Sequence, residues 1–135
     1  MTGFLLDTNA WIALLKNDTQ ILAGVRRVGL EALYSCSPVW FELWFGACKS
    51  QRVAENKSRI RELMQQVPSL PFDDKAAEHG GEIRAVLGRE GRSIGPYDLQ
   101  IATIARTAGL CVVTRNVSEF SRVPGLLVEN WQGDT

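Results

Sequence analysis

The run Leu110-Cys111-Val112-Val113-Thr114 carries no polar side chain before its last position and lies between Gly109 and the polar pair Arg115-Asn116. A short apolar run without polar alternation is the pattern of a strand covered on both faces, as strands are inside parallel sheets. The rest of the chain supplies the helices such a sheet needs. Phe4-Leu5-Leu6 begins a strand that ends at Asp7, and Thr8 and Asn9 offer capping side chains before the helical pattern Trp11, Ile12, Leu14, Leu15. Ile21, Leu22, Val25 and Val28 suit a second helix closed by Gly29, and Leu33-Tyr34-Ser35 suits a short strand. Pro38 opens a helix from Val39 to about Ser50.

A polar helix follows from Arg52 to about Gln66, with Ile60, Leu63, Met64 and Val67 as its apolar stripe and Pro68 and Pro71 as its end. Leu70 to Phe72 suits an edge strand, and Asp73 or Asp74 caps a helix that ends near Gly88 or Gly91. Arg89 to Gly95 reads as a loop. Pro96 starts a helix from Tyr97 to Ala108, closed by Gly109, and a last strand fits Leu126 to Val128. Strands alternating with helices, without repeat or linker, predict a three-layer α/β fold: a mainly parallel central sheet flanked by helices. At 135 residues the expectation is a single domain, 1–135.

Four acids stand where such a fold places chemistry. Asp7 follows the first strand, at the carboxyl end where open α/β sheets bind ligands, although helix capping explains it equally well. Glu42 interrupts Val39-Trp40-Phe41 and Leu43-Trp44-Phe45, so it needs a cation, hydrogen bonds or water, an arginine ion pair being the plain structural alternative. Asp98 sits in the first turn of its helix, where the dipole favours it. With Ile101, Ala102 and Ala105 three, four and seven residues on, it also tops the stripe that faces the sheet. Glu119 follows the buried strand after the turn Arg115 to Ser118; with Asn116 it could supply oxygen ligands or start a helix.

Crowded carboxylates call for hard cations such as magnesium or manganese, which activate water and stabilise a departing phosphodiester oxygen. A two-carboxylate glycosidase would need only a pair of these acids and usually a larger cleft. The lone His79 reads as a surface or packing residue, and no P-loop, GxSxG or zinc spacing is present.

The formal net charge is zero, so attraction to nucleic acid must be local. Lys49, Arg52, Lys57, Arg59 and Arg61 against Glu55 and Glu62 form either a solvated helix face or a basic patch. The three cysteines are widely spaced and lack a CxxC pair, which reads as reduced thiols and a cytoplasmic protein. The N-terminus lacks an export signal, and no run approaches the roughly 18 apolar residues of a membrane span. Trp40, Phe41, Trp44 and Phe45 cover more of a helix than one core-facing stripe buries, so some of them are expected to meet a partner.

Leu5-Leu6-Asp7-Thr8-Asn9, Glu42 with Gly46, Gly95-Pro96-Tyr97-Asp98 with Ile101-Ala102, and Thr114-Arg115-Asn116 through Glu119-Phe120 together resemble VapC-type PIN-domain toxins. Arg122-Val123-Pro124-Gly125-Leu126 with Trp131 resembles the usual ending, so the likeness covers nearly the whole chain. The resemblance implies an endoribonuclease dependent on Mg2+ or Mn2+ and silenced by a cognate antitoxin. Asp7, Glu42, Asp98 and Glu119 are then its catalytic and metal-binding acids, with Thr8, Asn9, Thr114 and Asn116 as supporting polar groups. It further implies a homodimer and a structured RNA substrate, such as a transfer RNA cut in its anticodon loop, with Arg84, Arg89, Arg92 and Arg115 as candidate RNA contacts. Some relatives carry an aspartate where this chain has Asn116, which would weaken a second metal. Two other readings stand beside it: a PIN-like module that binds RNA or protein without cutting, and a phospho-acceptor receiver domain. The receiver reading expects neighbouring acids early in the chain and a lysine after the last site strand, where Arg115 and Asn116 stand instead.

Overall fold

The computed structural model describes residues 2–133. Its five strands are β1 (Phe4–Leu6), β2 (Leu33–Cys36), β3 (Ser69–Leu70), β4 (Cys111–Val113) and β5 (Leu127–Glu129). The helices are α1 (Thr8–Leu15), α2 (Thr19–Val28), α3 (Ser37–Cys48), α4 (Val53–Met64), α5 (Asp74–Arg89), α6 (Pro96–Ala108) and the one-turn α7 (Val117–Phe120). The strands form one sheet in the order β3-β2-β1-β4-β5, and every adjacent pair is parallel. The expected α/β architecture is therefore present, and more strictly parallel than "mainly" implied.

The chain steps outward from β1 through β2 to β3, then returns to lay β4 on the other side of β1. This reversal opens a crevice between the carboxyl ends of β1 and β4, the place where doubly wound sheets bind ligands. The register pairs Leu6 with Val113, and the Asp7 N–H continues the ladder to the Val113 carbonyl at 3.0 Å. Asp7 and Thr114 thus leave the sheet side by side.

Local chemistry accounts for the helix boundaries. Asp7, Asp18 and Asp73 cap α1, α2 and α5 through their carboxylates, and Pro38 and Pro96 occupy the first turns of α3 and α6. Gly109 closes α6 in the left-handed conformation at φ 71°, which glycine adopts without steric cost. The core lies on both faces of the sheet, with Leu5, Leu6, Trp11, Ile21, Leu33, Ile101, Val112 and Phe120 essentially inaccessible. Leu5, Leu6, Val112 and Val113 are all buried, as the unbroken apolar runs required.

Two readings of the sequence shift. The edge strand is Ser69–Leu70 rather than Leu70–Phe72, and it pairs with β2 through Ser35 and Cys36. The turn expected from Arg115 to Ser118 is partly the start of α7, a single helical turn too short to leave a periodic signal. Cys36 and Cys111 are buried free thiols, held protonated by burial at about 12 and about 11, and Cys48 is exposed.

Candidate active site

Asp7 fills both roles the sequence left open. As the cap of α1 it accepts the Ala10 N–H at 2.9 Å, and as the residue after β1 it sits in the crevice with the Thr114 hydroxyl bonded to its carboxylate. Burial leaves it 5% exposed and pushes its pKa up, an effect to which the charge of Glu42 adds; the Thr114 and Ala10 hydrogen bonds oppose it without cancelling it.

Glu42, in the second turn of α3, receives a hydrogen bond from the Thr8 hydroxyl at 2.5 Å, so a residue of α1 supplies the compensation that the apolar sequence demanded. Asp98 lies half-buried in the first turn of α6, as its stripe predicted. Its pKa rises to about 6, first through desolvation and then through the charges of Glu119, Asp7 and Glu42. Asp98 is thus near enough to the other three acids, which come from different elements, to feel their charge. Glu119, in α7, behaves oppositely. The Gly95 N–H donates to its Oε1 at 2.9 Å and Asn116 Nδ2 to its Oε2 at 2.6 Å, and these bonds hold its pKa low.

Three of the four supporting residues lie in the Asp7 cleft, whereas Thr8 turns to Glu42, which lines a separate cleft. Asn9, Thr114, Arg115 and Asn116 line a cleft of about 250 Å³ with Asp7, joined by Gln132, which the sequence reading missed. The only signal for Gln132 was its place shortly after the last strand. The Thr114 hydroxyl also accepts the Asn116 N–H at 2.9 Å, so one side chain braces Asp7 and the turn that carries Asn116.

Of the candidate RNA contacts, only Arg115 shares this cleft. Arg84 lines a separate groove of about 450 Å³ between α5 and α6 that reaches Pro96. Arg89 is exposed at the end of α5, and Arg92 pairs with Glu90 at 3.8 Å. The basic stretch before and along α4 is largely committed to packing. Lys57 and Arg61 lie 5.2 and 4.9 Å from the Trp44 ring centre, Lys49 lies 4.8 Å from that of Phe45, and Arg59 donates to the Leu15 carbonyl. Of the four aromatics on α3, Trp40 and Trp44 are half-buried against each other, whereas Phe41 and Phe45 are each 59% exposed. Phe41 stacks on the exposed Tyr97, at 5.5 Å between ring centres. His79 is half-buried on α5.

Carboxylates, amides and hydroxyls offer oxygen donors of the kind that magnesium and manganese prefer over softer metals. Desolvation raises Asp98 most and the neighbouring negative charges add to it, and a bound cation would offset both. Among the described residues, no three acidic, histidine or cysteine side chains already surround a common point. The carboxylates of Glu42 and Glu119 are turned toward Thr8, Gly95 and Asn116.

Comparison with known proteins points the same way. Residues 4–126 match the model of the PIN domain. The chain is 43% identical over 134 residues to the tRNA(fMet)-specific endonuclease VapC of Shigella flexneri, covering 97% of this chain and 99% of that one. It is 37% identical over 131 residues to the protein of the same name from Salmonella typhimurium, with 97% and 99% covered. Among solved structures, it superposes on DNA-bound VapBC from Salmonella typhimurium with a TM-score of 0.89, at 38% identity and with 97% and 99% of the two chains covered. VapBC2 from Rickettsia felis, bound to a fragment of its promoter, gives 0.86 at 30% identity, with 95% and 98% covered.

Proposed function

Because this chain belongs to the PIN-domain family, among the relatives of VapC, we propose that it is a metal-dependent endoribonuclease, the toxin of a toxin–antitoxin pair. Support for this reading comes from Asp7 at the carboxyl end of β1 beside β4, and from Asp98, which is desolvated and feels the charges of Glu119, Asp7 and Glu42. Asp7, Glu42 and Asp98 would hold Mg2+ or Mn2+, with Glu119 completing the acidic set. When bound, such an ion lowers the pKa of coordinated water and offsets charge on the phosphodiester oxygens. The protein groups set the stage for that chemistry. Thr114 and Ala10 hold the Asp7 carboxylate in place, and Thr8 holds that of Glu42. Burial keeps competing water away from Asp7, and Arg115 stands beside it to meet a phosphate.

The proposed substrate is a structured RNA, in particular a transfer RNA cut in its anticodon loop. Support comes from the tRNA(fMet)-specific relatives and from the recessed acids, which a single-stranded loop reaches more readily than a duplex. The VapBC complexes among the structural relatives support a cognate antitoxin as partner. The exposed Phe41 and Phe45 offer an apolar face for a homodimer. Among the described residues no helix is long and apolar enough to cross a membrane.

The test uses purified protein with a purified transfer RNA, its isolated stem duplex and an unstructured RNA of equal length. Cleavage is expected with Mg2+ or Mn2+, to vanish with chelator and in Asp7→Asn and Asp98→Asn, and to favour the intact transfer RNA. Full activity of both variants at limiting metal would overturn the roles given to Asp7 and Asp98, and absence of cleavage by the wild-type protein with either metal would overturn the nuclease reading. Equal rates on the three RNAs would overturn only the substrate.

A further inference from the structure

We propose that Gln132 is a substrate-binding residue: a clasp in the turn after β5 holds its side-chain amide in the Asp7 cleft, where it donates to a phosphate of the RNA strand. The inference deepens the nuclease reading and rests on it for the substrate.

The turn is fixed at three levels. Its root is the sheet, since Glu129 pairs with Val113 and its carbonyl accepts the Thr114 N–H at 2.9 Å. Trp131 is the anchor. Its ring centre lies 5.3 Å from that of Phe4, and the ring sits so close over Gly24 that a Cβ there would meet Cε3 at 2.5 Å. Trp131 Nε1 donates to Glu129 Oε1 at 2.9 Å, and Arg27 lies over the same ring at 5.5 Å from its centre. Asn130 then closes the turn with both ends of one side chain. Its Oδ1 accepts the Gln132 N–H at 2.9 Å, and its Nδ2 donates to the Gly133 carbonyl at 3.0 Å.

This turn delivers a carboxamide to the cleft of about 250 Å³ that Asp7 and Arg115 also line, with Gln132 only 9% exposed. Burying a carboxamide costs free energy unless it is hydrogen-bonded, so its place beside the acids calls for a polar partner. A phosphate fits that part. Asp7 belongs to the proposed metal site, which the reacting phosphate must approach, and Arg115 brings positive charge to the same cleft. Gln132 adds N–H donors without adding charge. A carboxylate there would repel the phosphate, and an ammonium group would compete with the metal for Asp7. Because the clasp fixes the backbone of Gln132 before RNA arrives, little freedom is lost on binding.

Three variants separate contact from structure. Gln132→Met keeps the side-chain length and removes its hydrogen bonds, Gln132→Glu keeps the shape and removes the donors, and Asn130→Ala keeps the amide and opens the clasp. With purified transfer RNA and Mg2+, KM should rise about tenfold or more in Gln132→Met, as for loss of a hydrogen bond to a charged group, with kcat within about threefold of wild type. The rise should be larger in Gln132→Glu and about threefold in Asn130→Ala. Repeating the changes in Asp98→Asn protein reads binding apart from cleavage, and RNA affinity by fluorescence anisotropy should fall by similar factors. The Tm of Gln132→Met should stay within about 2 °C of wild type, and its Mn2+ affinity within about threefold. Unchanged KM and RNA affinity in Gln132→Met, or wild-type RNA affinity in Gln132→Glu, would overturn the phosphate contact. Unchanged KM in Asn130→Ala would overturn the clasp. Loss of Tm and Mn2+ affinity together with RNA in Gln132→Met would make the residue structural and the proposal wrong. If wild-type protein cuts no RNA, the nuclease reading fails alone when RNA affinity still depends on Gln132, and both fail when it does not.

Discussion

Replacing Asp98 by asparagine in the metal-free protein is expected to stabilise it at neutral pH, although the same change should abolish cleavage. The folded protein holds Asp98 near 6 against an ordinary value of 3.8, through desolvation and then through Glu119, Asp7 and Glu42. An acid whose pKa is raised on folding binds more protons folded than unfolded. Stability is therefore greatest below about 4, falls as pH rises toward about 6, and is level above that. The full shift corresponds to about 3 kcal/mol. Asp98 is only half-buried, so solvent screening removes roughly half of that. Its favourable place at the positive end of α6 returns about 0.5 kcal/mol more, leaving a gain of about 1 kcal/mol for asparagine.

In a chain of this size that is about 4 °C in Tm. Thermal unfolding with chelator across pH 4 to 8 measures it: the Asn variant should melt higher at pH 7.5 and lose its advantage near pH 4, where Asp98 is protonated anyway. Saturating Mg2+ should reverse the order, since a ligand at about a hundredfold over its Kd adds about 2.7 kcal/mol to the form that binds it. Equal melting at pH 7.5, or an advantage undiminished at pH 4, would refute the argument from desolvation and neighbouring charge.

Gly24→Ala should destabilise the fold by about 1 to 2 kcal/mol, because overpacking outweighs the roughly 1 kcal/mol that alanine gains in a helix. A Cβ there would meet Trp131 Cε3 at 2.5 Å, and a rise in the denaturant midpoint would contradict this. Arg115→Glu should reduce RNA turnover about tenfold or more, a charge-assisted phosphate contact being worth about 1.5 to 3 kcal/mol, and should move Tm little. Steady-state cleavage beside a melting curve decides it, and unchanged turnover would remove Arg115 from the substrate path. The double change Phe41→Ser with Phe45→Ser should leave folding nearly untouched, as both rings are exposed, yet weaken self-association about a hundredfold or more if they meet a second copy. Sedimentation over a dilution series tests this, and an unchanged dimer would place the interface elsewhere.

The sequence alone determined what depends on near neighbours along the chain. Unbroken apolar runs placed β1 and β4, aspartates and prolines marked the helix starts, and the stripe Asp98, Ile101, Ala102, Ala105 aimed an acid at the sheet, because periodicity and capping are local physics. The short α7 escaped because one turn has no period to read. Tertiary structure alone decided the side-chain partners. Thr8 and Glu42 are 34 residues apart, and Gly95 and Glu119 are 24 apart. The sequence cannot say which hydroxyl or amide will compensate an acid until the sheet order brings the ends of β1 and β4 together. Four similar aromatics on α3 likewise looked alike in sequence. Packing of α4 laid Lys57 and Arg61 over Trp44 and left Phe41 and Phe45 exposed, a division set by where a neighbouring helix lies rather than by residue type.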